Sequence, residues 1–133
     1  SLPVTNINLQ DAKGYGRWLS QVTGFTYRLP TAKEWQHAVG ANQAQQLNDH
    51  NCLLTQGTKV IRGNNVRSIN QGTANIWGVK NGLGNVQEWV MSGKKALMMG
   101  GSATTPLTHC NINYALAPSN DNTLTGLRLV RVL

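Results

Sequence analysis

The chain has 133 residues, 40% of them hydrophobic, with 14 glycines and four tryptophans, a globular composition that excludes disordered and fibrous classes. Its net charge is +7, but only 13% of residues are charged and the twelve basic ones are scattered, with only Lys94-Lys95 adjacent. That pattern argues against a nucleic-acid module, which gathers Lys and Arg with aromatic residues on one face. No apolar run approaches the roughly 20 residues that cross a bilayer.

The first regular element is a helix. From Leu9 the apolar positions Leu9, Ala12, Tyr15, Leu19 and Val22 recur at three- and four-residue steps, the spacing of one helical face. Asn8 is a suitable N-cap, Asp11 favours the dipole from the first turn, and Thr23-Gly24 supplies the stop. Residues 25–29 read as a short extended piece halted by Pro30. Thr31-Ala32-Lys33-Glu34 is then a capping box, in which hydroxyl and carboxylate each satisfy a backbone N–H left orphaned by the helix start. Trp35, Ala38 and Val39 supply the buried face of this second helix, and Gly40 ends it. Both helices are expected to pack on one side of the sheet that follows.

Residues 41–76 carry no periodicity beyond one strand at Lys59–Arg62; a loop of that length in a compact domain is functional or held by special ties. Short strand signals return at 78–79, 87–90, 96–99 and 127–132, each bounded by glycine or turn residues. Two N-terminal helices followed by short, mostly antiparallel strands and long loops make an α+β plan. Trp35, Trp77 and Trp89 are expected to fill core volume while each indole N–H finds an acceptor. Arg28 and Arg128 lie inside apolar segments, and Glu34 and Glu88 are the only glutamates. A semi-buried ion-pair network joining Arg28 or Arg128 to Glu88 follows, because buried charges are rarely left unpaired.

Cys52 and Cys110 are compatible with one disulfide, two buried thiols or a thiolate site. An even count in a Thr- and Asn-rich domain leans toward an oxidising compartment. His37, His50 and His109 form no i, i+4 pair on a helix, so they read as capping, packing or solvated side chains rather than iron ligands. Ser102 with His109 lacks a carboxylate to orient the imidazole, which argues against a hydrolase.

Several ordered pieces resemble one family. Pro3-Val4-Thr5-Asn6-Ile7 leading into Asp11-Ala12-Lys13 and Trp18-Leu19 is similar to the opening of the formylglycine-generating-enzyme-like domains. Tyr27-Arg28-Leu29-Pro30-Thr31-Ala32-Lys33-Glu34-Trp35 resembles their "RLPTEAEWE" segment. Asn75-Ile76-Trp77-Gly78-Val79 and Gly84-Asn85-Val86-Gln87-Glu88-Trp89-Val90 resemble their core, while Gly100-Gly101-Ser102 and Thr125-Gly126-Leu127-Arg128-Leu129-Val130-Arg131 resemble the "RGGS" and "GFRLVR" elements. The resemblance spans nearly the whole chain and implies a variant of the C-type lectin fold in a single domain over residues 1–133, the C-terminal part of a longer protein.

In that family catalysis rests on two cysteines, three and eight residues past the serine of the "GGS" element, which together hold copper(I). Soft sulfur ligands suit that metal. The corresponding positions here are Thr105 and Cys110, and a hydroxyl cannot replace a thiolate, so the resemblance implies a domain without the family's oxidase activity. A Cys52–Cys110 disulfide is then favoured; it would pin the long irregular segment against the domain. Asn51-Cys52-Leu53-Leu54 with Cys110 also resembles a subgroup fused to bacterial Ser/Thr kinases, which implies a periplasmic, sensory module reaching the membrane only through a segment outside this chain. Asn85 and Glu88 match residues of a family calcium site, so calcium is the one candidate cofactor; the alternative is Asn85 as a turn former and Glu88 as an arginine partner.

The expected function is therefore a non-catalytic ligand-binding or sensor domain, its partner a protein, peptide or small molecule. The expected groove is lined by residues 104–113 and 114–123, with Ser102, Thr104, Thr105, His109, Asn111, Asn113 and Tyr114 as ligand-binding residues. One alternative is the variable protein of a diversity-generating retroelement, with Asn111, Asn113, Asn120 and Asn122 at diversified positions. Another is a residual copper-dependent thiol oxidase using Cys110.

Overall fold

A computed structural model describes residues 1–40 and 49–133. Helix α1, Leu9–Thr23, starts where the sequence predicts: the Asn8 side chain accepts the Asp11 N–H at 2.8 Å, and Gly24 in the left-handed region donates to Ser20 O. Strand β1, Thr26–Arg28, leads into α2, Ala32–Gly40. The capping box is formed, with Thr31 N donating to Glu34 Oε1 at 2.8 Å and Glu34 N to Thr31 Oγ1 at 3.1 Å. Two strands follow as an antiparallel hairpin, β2 at Leu54–Gln56 and β3 at Lys59–Arg62.

The centre of the domain is a four-stranded sheet. Strands β4, Gln87–Ser92, and β5, Lys95–Met99, form a hairpin flanked by β6, Ala115–Leu116, and β7, Thr125–Gly126, in the order β6-β5-β4-β7. All pairs are antiparallel except β4 with β7. A separate antiparallel pair joins β1 to β8, Val130–Val132.

Because side chains alternate across a strand, the β4–β5 hairpin is apolar on both faces and builds two cores. Trp89, Ala96 and Met98 meet Ala12 of α1 and Leu29 on one face. Val90 and Met99 meet Trp35 and Val39 of α2 on the other. The two helices thus lie on opposite faces of the sheet. The expectation of a shared side is overturned by the full apolarity of β4, where consecutive Trp89 and Val90 both need cover.

Three further differences have local causes. Residues 78–79 form no strand; they follow a turn at residues 76–77, closed by Gly78 N donating to Asn75 O at 2.9 Å, and the Asn75 side-chain oxygen accepts both Trp77 N and Val79 N and curls the backbone. Residues 127–132 do not run as one strand: Thr125–Gly126 pairs with β4, Val130–Val132 pairs with β1, and Leu127 and Leu129 turn between them onto the α1 core. Trp77 is 58% exposed and fills no core. Trp35 and Trp89 behave as predicted, their indoles donating to Glu88 Oε1 at 3.0 Å and Ile7 O at 2.7 Å. Among the described residues no helix is long and apolar enough to cross a membrane.

Candidate functional site

The end of the sheet beyond β5 carries the Gly100-Gly101-Ser102 turn, and the residues after it fold back over a disulfide. Cys52 and Cys110 are bonded to each other across 58 residues of sequence, with Cα atoms 6.6 Å apart. Both are buried. Glycine is required on either side of the bond: a Cβ at Gly84 would lie 2.6 Å from Cys52 Sγ, and one at Gly101 2.8 Å from Cys110 Sγ, with φ at +77° and +72°. The segment around Cys52 is clamped as well. Asn85 N donates to Asn51 O at 2.9 Å, Leu53 N to Thr105 O at 2.8 Å, and Leu107 N to Leu53 O at 2.8 Å.

Thr105 is buried and its hydroxyl accepts the Ser102 N–H at 2.9 Å. Ser102 Oγ lies 3.2 Å from Thr104 Oγ1 and accepts Thr104 N. These three residues line an open groove of about 420 Å³ whose other walls are Gln87, Leu116, Asp121, Thr123 and Leu124. Hydrogen bonds from the Thr123 hydroxyl and backbone hold the Asp121 carboxyl below its ordinary pKa, so it is ionised at neutral pH.

The other predicted ligand residues lie outside this lining. His109 and Tyr114 stack on each other, ring centres 5.9 Å apart and planes within 4°. Asn111 closes a turn by accepting Asn113 N at 2.9 Å, and Gln36 of α2 ties the same loop down through Ile112 O at 3.0 Å. Of the asparagines weighed as diversified positions, Asn113 and Asn120 are exposed, whereas Asn111 and Asn122, whose carbonyl accepts Thr125 N, close turns. Sequence reasoning missed Gln87 and Leu124 as groove residues; they come from β4 and the approach to β7, brought beside Ser102 by a parallel pairing no local pattern announces.

The predicted ionic residues divide in two. Glu88 is buried; its Oε1 accepts Trp35 Nε1 and Arg128 Nε, each at 3.0 Å, and its Oε2 accepts Arg128 Nη2 at 3.1 Å. The facing carboxylate raises the Arg128 pKa. Arg28 does not join them. It forms an exposed bidentate pair with Glu34 at 2.7 and 2.9 Å, because β1 carries it to the capping box of α2 rather than under the sheet.

Calcium does not fit Asn85 and Glu88. Asn85 Oδ1 already accepts Asn51 Nδ2 and Arg67 N, at 2.9 and 2.8 Å, and its Nδ2 donates to Arg67 O. Both carboxylate oxygens of Glu88 face N–H donors, one of them a guanidinium. A hard cation needs such oxygens free to point at it. Among the described residues no three His, Cys, Asp or Glu side chains gather. Copper(I) does not fit either, since the two positions that would hold it offer a hydroxyl engaged by Ser102 and a sulfur already bonded to sulfur.

Residues 1–133, the whole chain, match the family described as the Sulfatase-modifying factor enzyme 1-like domain. The chain belongs to that family. Among solved structures it is similar to PvdO from Pseudomonas aeruginosa, at 20% identity and a TM-score of 0.80, over 99% of this chain and 62% of PvdO. It is also similar to CarF, at 24% identity and a TM-score of 0.72, over 99% of this chain and 68% of CarF. The chain therefore spans less than two thirds of PvdO. These likenesses establish the fold, the formylglycine-generating-enzyme variant of the C-type lectin architecture. No curated protein matches the chain.

Proposed function

We propose that this Sulfatase-modifying factor enzyme 1-like domain is a non-catalytic ligand-binding or sensor module of a larger extracytoplasmic protein. One observation carries the reading: where the family holds copper between two thiolates, Cys110 is consumed in a buried disulfide with Cys52 and Thr105 presents a hydroxyl. Neither group is a free soft donor. The same bond supports an oxidising compartment. Around it the scaffold holds a groove of polar loop residues on a rigid sheet, the arrangement from which binding surfaces are made. The run Asn51-Cys52-Leu53-Leu54 with Cys110 supports a place in the subgroup fused to bacterial Ser/Thr kinases, which makes the ligand a signal and the kinase its output.

The test is chemical. Purified protein denatured without reductant is expected to show no free thiol, and the native protein no competition for copper(I) against a chromogenic chelator. Conversion of the cysteine in a sulfatase-derived peptide to formylglycine overturns the proposal.

A further inference from the structure

The groove beside Ser102 is selective in its chemistry, an inference that rests on reading it as the ligand site. The chain carries twelve Lys and Arg against five Asp and Glu, yet among the described residues lining the groove there is no Lys, Arg or His. The one charged group there is Asp121. On a chain of net charge +7 this concavity thus carries one carboxylate and no basic side chain in its lining.

The neutral lining also offers an open acceptor. Gln87 turns its amide nitrogen inward, donating to Thr125 Oγ1 at 2.9 Å and lying 3.4 Å from Met98 Sδ. Its carbonyl oxygen has no partner among the described residues and is not buried. The hydroxyls of Ser102, Thr104 and Thr105 are engaged with one another and with the backbone N–H groups of residues 102 and 104. Asp121 accepts Thr123 N on Oδ1 at 3.1 Å and a bond from the Thr123 hydroxyl, and an exposed carboxylate, with about four lone-pair sites, can accept further donors beside these two. Leu116 and Leu124 add apolar wall. An open acceptor and one carboxylate are complementary to a ligand that brings N–H donors and positive charge.

We propose that this groove takes an organic cation, an ammonium or guanidinium group on an apolar stem, whose N–H donors reach Asp121 and Gln87 while the stem lies along Leu116 and Leu124. Free amines and lysine or arginine side chains share that chemistry.

The experiment is an NMR titration of the ¹⁵N-labelled protein with three probes of equal length: cadaverine, its diol analogue and glutarate. A capped peptide with a single lysine is the fourth. Cadaverine or the peptide is expected to shift the amides of Thr104, Leu116, Asp121 and Thr123, and whichever binds more tightly identifies the source of the cation. The diol and glutarate are expected to leave them unmoved. Asp121→Asn keeps the turn, since asparagine caps it equally well, and is expected to weaken binding about three- to fivefold, the worth of an exposed charge pair. Asp121→Lys is expected to abolish it. Shifts by the diol or glutarate equal to those by cadaverine, undiminished binding to Asp121→Lys, or cadaverine shifts confined to other acidic residues overturn the cation proposal while leaving the groove a binding site. No shift of these amides by any probe overturns the groove as a ligand site as well.

Discussion

Deleting the Cys52–Cys110 bond is the most direct perturbation of the proposed architecture. The bond spans 58 residues, and closing a loop of that length removes about 14 cal/mol/K of chain entropy from the unfolded state, or about 4 kcal/mol at 25 °C. The double substitution Cys52→Ala, Cys110→Ala also strips two buried sulfurs, adding about 1–2 kcal/mol of lost burial. Against a total stability of about 5–15 kcal/mol for a domain this size, the variant is expected to remain folded only marginally. Urea unfolding followed by tryptophan fluorescence measures it. Both the free energy and the slope should change, because an unfolded chain without its cross-link exposes more surface. A second readout isolates the packing. Gly101→Ala places a methyl against Cys110 Sγ and near Thr105, so it should cost less in the Cys→Ala background than in the native one. A loss below about 1 kcal/mol with an unchanged slope and no coupling to Gly101 would falsify the reasoning, since the link would then neither restrict the unfolded chain nor fill the site.

The two arginines make a matched comparison. Arg128→Met strands the buried Glu88 carboxylate with the Trp35 indole as its remaining donor and should cost about 3–5 kcal/mol. Arg28→Met breaks the exposed pair with Glu34 and should cost about 1 kcal/mol or less; equal losses in thermal melts would count against the burial assignment. Glu34 and His50 each contribute to the acid limb of stability. Glu34 is held at about 2 instead of 4.5, first by the Arg28 hydrogen bonds and then by Thr31 N. A depressed carboxyl pKa stabilises the fold above the unfolded value, and that contribution is lost as pH falls from 4.5 toward 2. With both partners in contact with solvent, screening limits it to about 0.5 kcal/mol, and Arg28→Ala should flatten that part of the profile. His50 is buried, and desolvation, with Arg62 and Arg67 adding repulsion, lowers its pKa below 6.5 despite Asp49. Stability should therefore be full above pH 6.5 and decline as pH drops below it; His50→Gln should remove this step, and an unaltered profile in that variant would refute the assignment.

What was legible in the sequence is what local chemistry decides. The Asn8 cap, the Thr31–Glu34 box and the Lys59–Arg62 strand each depend on neighbours within four or five residues, and each is found where expected. The sidedness of the helices was not legible, because β4 is nearly continuous in apolar residues and period-two alternation is what normally names a face. Residue 77 misled for a related reason: a tryptophan is a core residue by composition, but Asn75 spends its side chain curling the backbone outward there. In the candidate site, Ser102, Thr104 and Thr105 came from the motif and line the groove together. His109 and Tyr114 came from the same stretch of sequence but spend their faces on each other. Gln87 and Leu124 enter only through the β4–β7 pairing, a contact between segments more than thirty residues apart.

The residues that carry the family resemblance most clearly are also those that hold the fold. Asn85 binds Asn51, Arg67 and Ala103 through its side chain and backbone, and Glu88 joins α2, β4 and the segment before β8 through Trp35 and Arg128. A buried polar hub of this kind is costly to disturb, because removing any one partner strands the others without water. Residues in such a hub are needed to hold the fold, so the resemblance they carry speaks for architecture and decides nothing about activity. The proposed lack of the family's activity rests instead on Thr105 and Cys110. At one the side chain is an alcohol bonded to the Ser102 N–H, and at the other the sulfur is bonded to Cys52; the groove proposed to take a ligand lies beside them.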